Sequence, residues 1–376
     1  METIKILLFI LPLIYFFLIL FCVINWVKGK TYLPKGSGFS TFTSILIPAR
    51  NEEENICHIL RDISSQNYPK NLFEIIVIDD GSKDKTVQRA CEFLTSTGLN
   101  HKILQTDKNC NGKKKAIEMG INGSVGELII TTDADCRIEK NWLATIVSFY
   151  EEKKPEMIIG PVVFHDEKSV FEKMQSLEFL SLGAITGATG IAGHPLMCNG
   201  ANLAYTKKGF IEVGGFEGNE QIPSGDDILL MIKFKKHFDK KVHYLKSKEA
   251  FVFTRPQRKI TEFIDQRMRW VSKSRHYSDV YLTFVSWFIL IFNFSIPVYS
   301  ALFFMKMGFG EILMVSFSIK LFFDFLFLFL TASFFSHKSL LWLFVPVQVL
   351  YIFYVPAISI ASLIGTFTWK GRQMVG

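Results

Sequence analysis

The sequence predicts an α/β domain, built on a mixed and largely parallel sheet, bracketed by transmembrane helices. Three observations lead there. Between residues 42 and 135, short apolar runs that end in acidic loops alternate with stretches of helical spacing. Uncharged runs of bilayer length lie near both ends of the chain. Carboxylates cluster behind the apolar runs, at Asp79-Asp80, Asp133-Ala134-Asp135 and Asp226-Asp227, and in an open sheet the loops beyond the carboxyl ends of the strands bind ligands.

The membrane elements come first along the chain. Residues 6–27 carry no charge and are long enough to cross a hydrocarbon core of about 30 Å. They lack the short apolar core and cleavage site of a signal peptide, so a retained anchor is expected. Three further runs, 280–304, 312–335 and 340–368, are separated by Lys306 and by His337-Lys338. The expected division is an anchor at 1–30, one catalytic domain at 40–275, a membrane cluster at 280–369 and a basic tail at 370–376. Lys28, Lys30 and Lys35 follow the first span whereas only Lys5 precedes it, which orients the domain toward the cytoplasm, as in an integral protein of a bacterial inner membrane.

The net charge of +7 is concentrated in part over residues 255–275, just before a span, where it suits anionic headgroups; the spans argue against nucleic acid as a partner. Lys320 and Asp324, one helical turn apart inside an apolar run, read either as a functional site or as a self-neutralising pair. Four full crossings would put Trp369-Lys370-Gly371-Arg372 outside, while its charges favour the cytoplasm, and both readings of segment 312–335 stay open. The six cysteines and eight histidines show no metal-ligand spacing, and a cytoplasmic domain keeps its thiols reduced.

Within the domain, residues 42–47 read as a strand ended by Pro48, 53–65 as a helix with Ile56, Ile59, Leu60 and Ile63 on one face, 73–78 as a strand and 86–94 as a helix. A third strand, 103–106, leads to Asn111-Gly112-Lys113-Lys114-Lys115-Ala116, where Lys114 and Lys115 read as solvated. A fourth, 127–131, runs into Asp133-Ala134-Asp135. Alternation on an extended chain turns both carboxylates the same way, so that they can share a hard cation. The same alternation allows only one of Asp79 and Asp80 to point inward.

Taken together, Ile47-Pro48-Ala49-Arg50-Asn51-Glu52, Asp79-Asp80-Gly81-Ser82, Gly112-Lys113 with Ala116 and Gly120, Asp133-Ala134-Asp135, Gly225-Asp226-Asp227 and Gln266-Arg267-Met268-Arg269-Trp270 resemble the membrane-bound glycosyltransferases of family 2. The resemblance implies the GT-A fold, a UDP- or GDP-sugar donor, Mg2+ or Mn2+, and inversion at the anomeric carbon. It implies Asp227 as general base with Asp226 orienting it, although either acid also suits the N-cap of a helix over 228–234. Asp135, with Asp133, is expected at the metal; Pro48, Ala49, Arg50, Glu52, Asp79, Asp80 and Lys113 at the nucleotide; Gln266, Arg267, Arg269 and Trp270 at the diphosphate or acceptor; Gly200 and Asn202, with Gly214-Gly215-Phe216, along the sugar and acceptor pocket.

The nearness of residues 266–270 to the next span places the reaction at the bilayer surface and favours a lipid acceptor. A processive polysaccharide synthase with a glycan acceptor is the alternative. An inactive scaffold of the same fold would be expected to have lost one of the acids, and none is missing.

Overall fold

The computed structural model describes all residues except 1–7, 35, 37, 107–111, 221, 223, 370, 371 and 376, and it leaves out the side chains of 363, 364, 368, 369 and 372–375. Lys5, Lys35, Cys110, Asn111, Lys370 and Gly371 therefore lie outside the described residues. The chain forms two compact units. One comprises Lys30–Asp166 and Thr189–Arg255; the other takes in the first apolar helix, Glu167–Ala188 and the chain from Pro256 onward.

In the first unit, β1 (Thr43–Ala49), β2 (Phe73–Asp79), β3 (His101–Gln105) and β4 (Leu128–Thr131) are followed by β5 (Arg137–Ile138), β6 (Met157–Ile159), β7 (Val162–Phe164), β8 (Leu203–Thr206), β9 (Val242–Tyr244) and β10 (Val252–Thr254). Seven of them make one mixed sheet in the order β3-β2-β1-β4-β8-β6-β9, and β5-β10-β7 make a second. The first four strands pair in parallel, and β8 enters antiparallel to both β4 and β6. β2 is buried along its whole length, as its apolar run from Ile75 to Ile78 suits a strand covered on both faces.

Pro48 does not end β1, which continues to Ala49. β4 pairs with β1 only as far as Leu46, and Pro48 faces that side, so its missing N–H breaks no ladder bond. The Lys113–Gly123 helix lies close on this sheet: a methyl at Gly120 would stand 2.9 Å from Ile78 Cδ1 and 3.1 Å from Leu46 Cδ2. That close fit seats the helix, and with it Lys113 and Lys114 in its first turn.

In the second unit, Ile10–Lys28, Val280–Phe304, Gly310–Ala332 and Lys338–Ser362, the last including the Phe344–Ile364 helix up to Ser362, are, among the described residues, four helical spans long and apolar enough to cross a membrane. The last apolar run does not stay helical through 368, as expected. It stops at Ile364, and β11 (Thr366–Trp369) pairs antiparallel with β12 (Arg372–Val375). Gly365 permits the change, since a Cβ there would stand 2.7 Å from Ala361 O and from Met268 Cε. Phe367 then buries against Met268 and Ile358, with Val271, Tyr354 and Ala361 around them. The Ile260–Ser272 helix, expected at the end of the α/β domain, is thus packed within the helical unit.

Lys320 and Asp324 form their ion pair at 2.9 Å, and it is not alone. Asp324 also accepts from the Tyr15 hydroxyl at 2.5 Å and from Gln348 Nε2 at 2.8 Å. Lys320 reaches the Tyr15 hydroxyl at 3.3 Å and lies over the rings of Tyr15 and Tyr351. Three helices share one satisfied polar cluster, which favours the self-neutralising reading of the pair.

Candidate active site

Loops of the α/β unit bring several of the expected charged residues together. β4 ends at Thr131, Thr132 N still bonds to Leu46 O, and the chain then turns, with Cys136 N donating to Asp133 O at 3.2 Å. The carboxylates of Asp133 and Asp135 therefore meet through a turn and not by strand alternation. Ligand atoms of Asp133, Asp135 and Cys136 all lie within 4.8 Å of one another. Two hard carboxylates on a partly open turn fit Mg2+ or Mn2+ by donor chemistry.

Lys113 follows Gly112, whose φ of 132° only glycine adopts readily. Its ammonium donates to Asp133 Oδ1 at 2.7 Å and lies 3.5 Å from Asp226 Oδ2. Burial pulls its pKa down, but Asp133 and Asp226 outweigh that and hold it above the ordinary lysine value. One cation thus ties the Asp133 turn to the Asp226-Asp227 pair. Gly200 completes the cluster, since a Cβ there would stand 3.3 Å from Asp226 Oδ2, 3.5 Å from Lys113 Nζ and 3.6 Å from Asp227 Cβ. The Gly200 carbonyl is fixed from β4 by Thr131 Oγ1 at 2.8 Å.

Asp227 is the N-cap of the Ile228–His237 helix: Oδ1 accepts from Ile228 N at 2.7 Å, and Oδ2 lies 3.4 Å from Gly200 N. The capping bond fixes the Asp227 carboxylate in one orientation at the helix N-terminus.

At the ends of β1 and β2, Arg50 Nη1 donates to Asp80 O at 2.6 Å, and Asp80 Oδ1 accepts from Gly112 N at 2.7 Å. Asp79 Oδ1 accepts from Ser82 N at 3.0 Å. Both aspartates are buried, against the expectation that only one points inward: the chain turns at Asp80, and alternation ceases with the strand. Pro48 and Ala49 lie in β1 itself. Glu52 is buried, its N–H on Thr86 Oγ1 and its carboxylate accepting from Asn55.

Two residues expected at the ligand are buried in hydrogen-bonded networks. Asn202 is 1% exposed; its amide donates to Pro161 O and Ala250 O and accepts from Trp142 Nε1. It braces the framework through these three bonds. A Gly160→Ala substitution should test this, because the new Cβ would stand 2.3 Å from Asn202 Nδ2 and the amide is pinned on three sides. A loss of about 1–3 kcal/mol in a denaturation midpoint is expected from such overpacking.

Arg267, in the helical unit, is the second case. It is 3% exposed, paired with Glu178 at 2.8 Å, stacked over Trp270 and Phe263, and donates to Gln266. Its guanidinium is thus engaged by side chains on the 260–272 helix and by Glu178. Arg269 and Trp270 are half-buried, Trp270 lying beside Phe179.

Lys114, expected in solvent, is buried, donating to Asn219 O at 2.6 Å and Ile222 O at 2.9 Å. Lys115 alone of the three is exposed. Helical spacing carried the signal: Ile117, Gly120 and Ile121 are buried, and positions 113 and 114 precede 117 by four and three residues, on the same face.

Residues 44–214 match the family model described as glycosyl transferase family 2. The glycosyltransferase AglE of Haloferax volcanii is 37% identical over 33% of this chain and 40% of its own length. A beta-monoglucosyldiacylglycerol synthase of Trichormus variabilis is 25% identical over 57% of this chain and 45% of its own. The chain thus spans less than half the length of either relative. A solved mannosyltransferase from Pyrobaculum calidifontis, in complex with GDP-Man and Mn2+, superposes with a TM-score of 0.59 at 17% identity, over 96% of this chain and 98% of that one. The expected GT-A fold is the fold this chain adopts.

Proposed function

As a member of glycosyltransferase family 2, carrying that family's domain over residues 44–214, the chain is, we propose, an inverting enzyme that moves a sugar from a nucleotide sugar, of the UDP type, to a lipid acceptor at the cytoplasmic face of a membrane. The observation that carries this reading is the single cluster of Asp133, Lys113, Asp226, Asp227 and Gly200 beyond the ends of the strands. A donor-side acid and a base-side acid pair are linked there by one ammonium.

Asp227 takes the proton of the acceptor hydroxyl as that oxygen attacks the anomeric carbon. Asp226 holds Lys113, and Lys113 keeps positive charge facing the side where the diphosphate gathers negative charge. Bound Mg2+ or Mn2+, held by Asp135 with Asp133, would neutralise the leaving diphosphate. Lipid is the acceptor favoured by the four apolar helices and by the packing of the Ile260–Ser272 helix on the last of them.

The test is detergent-purified protein incubated with Mn2+ or Mg2+, a panel of radiolabelled nucleotide sugars and total membrane lipid. Metal-dependent label in the organic phase is expected, and label confined to a polymer fraction would instead assign a processive synthase. Asp135→Ala should raise the Mn2+ concentration for half-maximal transfer by about tenfold or more, since losing even an outer-shell partner costs about 10–100-fold in metal affinity. An unchanged Mn2+ dependence would remove Asp135 from the metal.

A further inference from the structure

Of the three lysines that open the Lys113–Gly123 helix, the first two hold different things. Lys113 lies among the acids; Lys114 grips a loop. Between Val213 and Ile228 the described residues form no strand and no helix, only turns closed by main-chain bonds such as Glu217 N to Gly214 O, Asn219 N to Phe216 O and Ile222 N to Asn219 O. Yet it leads directly into Gly225-Asp226-Asp227.

Its main chain is held from two sides. From one helix, Lys114 donates to the carbonyls of Asn219 and Ile222 at 2.6 and 2.9 Å. From the Ile228–His237 helix, Lys233 donates to the carbonyls of Gly215 and Glu217 at 2.8 and 2.7 Å, and to that of Gly214 at 3.4 Å. Charged donors on main-chain carbonyls make stronger hydrogen bonds than neutral ones. Glu118, one turn beyond Lys114, comes within 3.5 Å of where a Cβ on Gly215 would stand. The exposed carboxylate of Glu220 is held below its ordinary range, first by main-chain hydrogen bonds and then by Lys233 and Lys114.

Lys114 also sits next in sequence to the residue whose ammonium meets Asp133 and Asp226. The first turn of one helix therefore touches both the acids and the loop that delivers them. We propose that Lys114 is a positioning residue, which fixes the 214–225 loop and through it sets the Asp226-Asp227 carboxylates against Lys113 and Asp133. The inference rests on the reading of Asp227 as the base. Lys114 touches no reacting atom; it acts through the loop.

The test uses the full-length protein in detergent and the variants Lys114→Met, which keeps the aliphatic stem and removes the charge, Lys114→Arg, and Lys233→Met. Two readouts are taken: transfer kinetics, and amide hydrogen exchange resolved to peptides covering 214–227. For Lys114→Met, kcat is expected to fall about tenfold with KM for the nucleotide sugar within about twofold of wild type, a misplaced base costing rate and not donor binding. Exchange across 214–225 should rise about tenfold while the sheet stays protected, as a local opening would give.

Lys114→Arg should recover most of both, and Lys233→Met should reproduce the exchange change from the other side. An unchanged kcat in Lys114→Met would overturn the proposal, whether or not the loop loosened. So would a loss of protection throughout the domain in both methionine variants, because the lysines would then serve the fold and not the loop. If the wild-type protein transferred no sugar from any donor, the base reading would fall, and the exchange data would still decide whether Lys114 holds the loop.

Discussion

Asp227→Asn is expected to leave a folded protein that binds its nucleotide sugar and transfers sugar about 100- to 10,000-fold more slowly, the range that general-base catalysis contributes. Asparagine can keep the capping bond, since its carbonyl oxygen replaces Oδ1 in accepting from Ile228 N at 2.7 Å. What it loses is basicity, and with it the only step assigned to this side chain. Asp226→Asn should behave differently, because Asp226 faces the Lys113 ammonium at 3.5 Å: its loss frees Lys113 toward Asp133 and should disturb donor affinity together with rate. Isothermal titration with the nucleotide sugar and Mn2+, run beside the transfer assay, separates the two. Wild-type transfer by Asp227→Asn would sink the base assignment, and loss of donor binding would move Asp227 to the donor side.

What could be read in the chain and what could not divide along physical lines. The alternation of apolar runs with helical spacing located β1, β2 and β4 to within a few residues, because a buried parallel strand is apolar over most of its length, while β3, a half-exposed edge strand, begins two residues before the expected 103. Acid clusters marked the loops beyond those strands, and Lys113, Asp133, Asp226 and Gly200 do meet there. Roles that depend on a distant partner were not legible. Arg267 is claimed by Glu178, 89 positions earlier, and Asn202 by Trp142, Pro161 and Ala250. No local pattern announces such contacts. Lys114 is an intermediate case: its charge argued for solvent while its place on the helix face argued for burial, and the carbonyls of Asn219 and Ile222 decided the matter. A charged residue on a buried stripe should be read as a request for a partner.

Replacing Asp324 alone by Leu should cost the protein most of its stability, and replacing Lys320 by Met at the same time should return much of it. In the single variant the Lys320 ammonium keeps only the Tyr15 hydroxyl, at 3.3 Å, and two ring faces, while Tyr15 and Gln348 lose their acceptor. Breaking a buried pair from one side costs about 3–5 kcal/mol, whereas exchanging both partners for apolar residues of similar volume is often neutral. Helices surrounded by lipid gain no water to rescue the orphaned charge. The measurement is a thermal-unfolding midpoint in detergent for both single variants and the double, read as a cycle. A double variant no more stable than Asp324→Leu would mean that the pair does not set the energy of the cluster. A double variant that is stable but transfers no lipid-linked sugar would separate holding the helices together from serving the reaction, and only then would the cluster take a place beside the acids of the α/β unit.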